Sequence, residues 1–253
     1  MNKFFLSFNN SKISTAIASG ALSTFLITLS SPALGVSLVT SRSDLGSNDL
    51  LNWSSLGTVA NPPTDFTEVL PSSFSTNSSQ GLGVNVAFPT PETDITQPFV
   101  FQTQSGGLET GFADGDFILF SGFNPEFFPA PGNPGPLTIT FDEPVFGAGT
   151  QIAVAQIPDF IASISAFDGE GSLLGNFDLP GTSSVDLDNS AVFLGVSSDT
   201  ANIKELVFNT SIANGAFGIN TLSIVAVDVP EPSSLLTLSL LGLGILGVKK
   251  KYQ

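Results

Sequence analysis

The chain has 253 residues, 42% of them apolar, which is enough for one large domain or two small ones with a substantial core. It carries seven basic against 22 acidic residues, a formal net charge of −15, and neither cysteine nor histidine. Those absences exclude disulfides, thiol nucleophiles, histidine-based serine triads and the usual zinc, haem and copper ligand sets, and the acidity argues against nucleic acid as a partner.

The first 35 residues read as an export signal. Lys3 and Lys12 make the stretch basic, Ile13 to Leu29 is apolar and uncharged, and Ala33-Leu34-Gly35 places small residues at the −3 and −1 positions of a cleavage site before Val36. A signal peptidase is the partner this implies, with an uncleaved membrane anchor as the alternative. Beyond the leader, Arg42 and Lys204 are the only basic residues between 36 and 231, and all 22 acidic residues lie in that span. A solvated acidic surface accounts for this balance without any partner, although divalent cations or a cationic surface are compatible with it.

Residues 36–80 are rich in Ser, Thr, Asn and Pro, and NPPTDF and SSFSTNSSQG suggest loops. From Gly81 onward, short apolar or β-branched runs recur between turn signals: GVNVAF, FVFQTQ, DFILFSGF, LTITF, QIAVAQI, FIASISAF, SLLGNFDL, AVFLGVSS, IKELVFNT and INTLSIVAV. In LTITF, Leu137, Ile139 and Phe141 share one face, with Thr138 and Thr140 on the other. TLSIVAV is apolar on both faces, which predicts a central strand, and the parity of Phe217 and Ile219 against Leu222 and Ile224 calls for a bulge near Asn220. Ten such runs without a helical stripe predict an all-β fold.

Four acidic clusters are candidate cation sites. Asp114 and Asp116 flank Gly115 with Glu109 nearby, Asp186 and Asp188 repeat the spacing, Asp142-Glu143 follows a strand, and Asp168-Gly169-Glu170-Gly171 has the composition of a hairpin turn. Calcium takes several oxygen ligands, which alternate loop carboxylates and carbonyls can supply, and Asp114, Asp116, Asp186 and Asp188 are the candidate ligands. Asp-Gly is also a favoured turn pair, and no stretch has the spacing of an EF-hand loop. A glycosidase needs two carboxylates flanking a cleft, and 22 acids supply pairs without discriminating among them. The 23 phenylalanines fall mostly in strand-like runs and read as core, whereas Phe123, Phe127 and Phe128 lie in the Pro- and Gly-broken loop GFNPEFFPAPGNPGP. That loop is the candidate ligand surface, and a loop packed back over a sheet edge is the alternative. Sugar stacking on Trp or Tyr has little to work with, since the chain has one of each, Trp53 and Tyr252.

The chain finishes with Pro230-Glu231-Pro232, an uncharged run from Leu235 to Val248 and the cluster Lys249, Lys250, Lys251. The alternating prolines favour an extended, accessible segment. The 14-residue run spans roughly 21 Å as a helix, short of the roughly 30 Å hydrocarbon core, and the lysines hold the end on the cytoplasmic side. This ordered set resembles the PEP-CTERM sorting signal of exopolysaccharide-producing Gram-negative bacteria, although the basic cluster here is lysine only where arginines are frequent. The resemblance implies recognition and removal of the tail by an exosortase-type sorting protease, transient inner-membrane anchoring, and delivery to the cell surface or outside the cell. The segment from GPLTITFDEPVF to FGINTLSIVAVD, roughly residues 136–228, is similar to the lectin-like β-sandwich ectodomains of PEP-CTERM proteins and transfers no active site.

The expected organisation is a signal peptide at 1–35, a jelly-roll-like antiparallel β-sandwich at 36–228 and a sorting signal at 229–253 that includes a short transmembrane helix. The expected role is non-enzymatic, without a cofactor other than calcium: a structural or adhesive component beside extracellular polysaccharide. A lectin-like carbohydrate-binding module, calcium-dependent or not, and a polysaccharide-active enzyme using paired carboxylates are the alternatives.

Overall fold

The computed structural model describes residues 35–227 except 62, 109–110, 127–130 and 156–158. Fourteen strands run through these residues: β1 (Ser37–Val39), β2 (Asp49–Leu51), β3 (Ser73–Asn77), β4 (Gly83–Ala87), β5 (Phe99–Gln102), β6 (Phe117–Phe120), β7 (Leu137–Val145), β8 (Gly147–Val154), β9 (Asp159–Phe167), β10 (Leu173–Thr182), β11 (Val192–Ser197), β12 (Ile203–Thr210), β13 (Phe217–Ile219) and β14 (Leu222–Val225). Among the described residues, helix is confined to α1 (Arg42–Leu45), capped by Ser41, and one 3-10 turn at Trp53–Leu56.

Two antiparallel sheets form. One has the order β1-β11-β8-β13-β6-β5, with β14 pairing β8 and β2; the other has the order β10-β9-β12-β7-β4-β3. Their inner faces share one apolar core, with Leu51, Leu119, Ile152, Leu194 and Leu222 from the first sheet against Val84, Ile139, Ile164, Leu206 and Phe208 from the second. The all-β class is therefore as the alternation predicts. The strand orders define a two-sheet sandwich and do not by themselves establish a jelly roll, and the expected leader and C-terminal helix lie outside the described residues.

The run LTITF behaves as its pattern requires: Leu137, Ile139 and Phe141 are fully buried, while Thr138 and Thr140 face outward and are half-buried. Asp142 and Glu143 belong to the same strand rather than following it. The outer face of this sheet is polar, as expected for an antiparallel sheet with one wet side. Ser75, Asn85, Thr140 and Glu205 form one rung across β3, β4, β7 and β12.

The expected bulge is present. Ile219 of β13 pairs with Ile152 and Ser223 of β14 pairs with Gly149, so four steps along one side face three along β8. The extra residue breaks the strand at Asn220 and Thr221, where the Asn220 side chain and the Thr221 carbonyl serve the neighbours described below. β14 lies between β2 and β8, matching its two apolar faces.

Residues 36–80 depart from the loop reading. They contain β1, β2, β3, α1 and the 3-10 turn, and the stretch SSFSTNSSQG supplies β3 and its turn into β4. As a sheet edge, β3 half-buries only Phe74 and Thr76 while its serines face water, so its polar composition masks a period of two.

A second apolar cluster lies on the outer face of the eight-stranded sheet, where Phe99, Phe101 and Phe120 pack edge-on and tilted, with ring centroids 5.4–6.2 Å apart. Phe66 and Phe123 reach this cluster from loops.

Candidate functional site

Beside that aromatic cluster, the outer face of β8 offers little bulk. A Cβ on Gly149 would stand 2.6 Å from the Gly195 Cα, so only glycine admits this close approach of β8 and β11. Phe193 lies over the gap, and the Arg42 guanidinium sits 5.3 Å from its ring centroid. Arg42 donates to the Thr221 carbonyl at 2.9 Å, to Asn220 Oδ1 at 2.8 Å and to the Ser223 hydroxyl. It is half-buried; desolvation lowers its pKa and nearby Asp116 opposes that shift. A guanidinium keeps its charge through such a shift.

Asn220, buried at the bulge, joins both sheet faces. Its side-chain amide donates to Asp116 Oδ2 at 3.0 Å and Gln151 Oε1 at 2.6 Å, while its Oδ1 accepts from the Gln151 amide at 3.1 Å. Its carbonyl accepts from Trp53 Nε1 at 2.8 Å and Thr150 Oγ1 at 3.0 Å inside the core. Gln151 Nε2 then donates to Asn189 Oδ1 and to the Ala191 carbonyl, both at 3.0 Å. The sequence marked Arg42 only as one of two basic residues between 36 and 231, and Asn220 only as a parity break; Gln151 left no trace in the pattern.

The network brings together two loops whose proximity spacing alone could not give. Ala113 and Asp188 form an isolated antiparallel bridge, so the Asp114/Asp116 turn lies beside the Asp186/Asp188 turn. Gly115 takes a positive φ of 84°, and the Ala113 amide donates to Asp116 Oδ2 at 3.3 Å, an Asp-Gly turn in which Asp116 also holds Asn220. Asp188 Oδ1 accepts from the Ser190 hydroxyl at 2.6 Å and its amide at 3.1 Å. The Ser190 hydroxyl is the main reason the Asp188 carboxyl falls below the ordinary range, and desolvation opposes it. Asp114 and Asp186 are exposed. Among the described residues, no three Asp or Glu side chains converge as a metal site.

Asp168 caps the β9–β10 hairpin, accepting from the amides of Glu170 at 2.9 Å and Ser172 at 2.8 Å, and the Ser172 amide is the leading cause of its lowered pKa. Phe123 is half-buried, its ring 5.9–6.1 Å from those of Phe66, Phe99 and Phe120, and it bridges to Gly132. At Phe123 the loop packs back over the sheet; Phe127 and Phe128 lie outside the described residues. So do Pro230, Glu231, Pro232 and Lys249, Lys250, Lys251.

A cleft of about 940 Å³ opens where the described chain ends, lined by Gln80, Asp142, Glu143, Ala201, Ala226 and Val227 among others. Asp49, only 3% exposed, underlies it and takes hydrogen bonds from the Ser78 and Ser79 hydroxyls and the Gln80 amide. That carboxylate ties the β3–β4 turn to β2, and hence one sheet to the other. Asn48 beside it grips Ala226 twice, accepting from its amide at 2.8 Å and donating to its carbonyl at 3.1 Å.

Residues 228–251 match the PEP-CTERM protein-sorting motif, so the chain carries that motif immediately beyond the last described residue of the sandwich. The motif implies export, membrane-anchored sorting and processing by an exosortase. No curated protein matches the chain significantly. Among solved structures, a DUF4465 family protein from Bacteroides caccae is similar at 14% identity, covering 74% of this chain and 99% of its own, with a TM-score of 0.35. The enzymatically active domain of tailspike protein 4 from bacteriophage CBA120 is similar at 14% identity over 67% of this chain and 22% of its own, with a TM-score of 0.24. Among the described residues, no helix is long and apolar enough to cross a membrane.

Proposed function

We propose that the protein is a non-enzymatic structural or adhesive component, released from transient inner-membrane anchoring to the cell surface or extracellular matrix, where it associates with exopolysaccharide. The observation that carries this reading is the sorting motif at 228–251, joined directly to a β-sandwich. The site chemistry supports it. The polar groups around Asn220 are bonded to one another, as in a structural pin. Asp168 and Asp188 accept hydrogen bonds from their own turns, as capping carboxylates do. Replacing Pro230-Glu231-Pro232 with Ala-Ala-Ala tests the reading: fractionated cells should retain the unprocessed chain in the membrane. Normal processing and surface delivery of the variant would contradict it.

A lectin-like role is the second reading, favoured by the polar rung Ser75, Asn85, Thr140 and Glu205, whose hydroxyl, amide and carboxylate groups suit sugar hydroxyls. The Ala113–Asp188 bridge adds calcium to that reading by setting the two acidic turns side by side. A glycan array with and without calcium tests the second reading: saturable binding to one glycan class supports the lectin, and its absence removes that reading.

A further inference from the structure

The two ends of the described sandwich lie on one rung of one sheet. Ser37 pairs with Ser197, Ser197 with Gly147, and Gly147 with Val225. Three strand spacings therefore separate the first strand's start from the last strand's end, about 14 Å. The same pole carries the start of β2, where Asp49 pairs with Ile224, and the end of β7, where Val145 pairs with Ile203. The β3–β4 turn is pinned there by Asp49. The far pole carries the turn after β12, with Ala213 exposed, eight residues along that strand. Strands of this length set the poles about 27 Å apart.

The last strand is held up to its end. The Phe146 amide donates to the Val225 carbonyl at 2.9 Å, and Asn48 closes both backbone groups of Ala226. The tether to the sorting segment thus begins at Val227. Pro230 is three residues further, at most about 11 Å of extended chain, and Leu235 is eight residues further, at most about 29 Å. A processing enzyme that grips residues 230–232 is within about 11 Å of chain from the loops around the tail root, whereas the far pole lies about 27 Å further along the strands.

From this geometry, and resting on the sorting reading above, we infer that the cleft-bearing pole faces the sorting membrane while the tail is intact. Its turns at 78–82 and 198–202 and the end of β7 at 142–145 are then the surface presented to the membrane-embedded processing enzyme. Asn48 is the positioning residue that fixes where the tether starts.

The absence of cysteine makes a direct test clean, because Gln80→Cys and Ala213→Cys each give a single labelling site on an exposed residue. The full chain is reconstituted in vesicles of phosphatidylethanolamine and phosphatidylglycerol containing nitroxide-headgroup lipid, and quenching of the fluorophore at each site is measured. With the two poles about 27 Å apart, quenching at position 80 is expected to exceed that at position 213. A further chain with about 20 Gly/Ser residues inserted after Val227 should lose most of that difference, because the insert raises the greatest reach from Val227 to Leu235 from about 29 Å to about 100 Å. Equal or reversed quenching in chains that float with the vesicles, or an unchanged difference with the insert, would overturn the orientation and leave the sorting reading standing. Failure of the full chain to float with vesicles would overturn the sorting reading itself and the inference with it.

Discussion

Removing the Asn220 side chain is the sharpest test of the network on the outer face. Asn220→Ala leaves two buried groups without their partner, the Gln151 amide N–H and Gln151 Oε1, each of which costs about 1–3 kcal/mol when unsatisfied. Arg42 keeps the Thr221 carbonyl and the Ser223 hydroxyl and is half-buried, so water replaces part of its loss. A destabilisation of about 3 kcal/mol follows. At about 2–4 °C per kcal/mol for a domain of this size, Tm should fall by about 6–12 °C. Urea unfolding followed by circular dichroism should show a lower midpoint at unchanged m, because the surface exposed on unfolding is the same. Combining Asn220→Ala with Arg42→Ala should give a coupling of at least about 0.5 kcal/mol, as expected for residues in one network. A loss below about 0.5 kcal/mol for Asn220→Ala, the scale of an ordinary surface change, would refute the pin.

The inner face of β12 gives a second prediction: Phe208→Ala should cost about 3–5 kcal/mol, whereas Asn209→Ala, one position on and exposed, should stay within about 0.5 kcal/mol by the same urea assay. Asp168 gives a third. Its folded pKa is lowered, so its contribution to the hairpin is complete above the ordinary value of about 3.9 and is lost as pH falls through the lower folded value. The amide resonances of Glu170 and Ser172 should titrate with a midpoint below that value, and a midpoint at or above it would contradict the capping geometry. Calcium gives a fourth, tied to the lectin reading: millimolar calcium should raise Tm, and Asp114→Asn with Asp186→Asn should abolish the rise. No rise in the unsubstituted chain removes calcium from that reading.

Strand content after Gly81 was legible because core positions alternate with Ser, Thr and Asn, as in LTITF, and because glycine, proline and Asp-Gly pairs mark the turns. The bulge was legible for the same reason, as a parity that fails between Ile219 and Leu222. Segments before residue 80 were not. Edge strands such as β3 bury one face weakly, and β1 and β2 are three residues long, too short to show a period. Site residues were the least legible. Asp116 stood out as a carboxylate in an Asp-Gly turn, but its partner Asn220 lies 104 residues away, and Gln151 is an ordinary strand residue until the fold sets Asn189 beside it. Phe123 illustrates the converse. A loop rich in proline and glycine predicts exposure, whereas the tertiary fold offers its ring three others at T-shaped or tilted angles.

The placement of the single arginine connects fold with destination. Without cysteine, nothing covalent can staple the loops of this chain, and in the span that folds, only Arg42 and Lys204 oppose the acidic charge. Arg42 is spent where three separate segments meet the sheet: α1, the bulge at 220–223 and, through Asn220, the turn bearing Asp116. A planar fork that also stacks on Phe193 serves several acceptors at once, which a lysine could not do. Lys204 instead donates to the Asp142 carbonyl at the pole where the tail leaves. One cation therefore fastens the loops on the sheet, and the other lies beside the exit of the sorting segment. The other charges of that span are all acidic, which favours solubility and disfavours an anionic membrane as a partner.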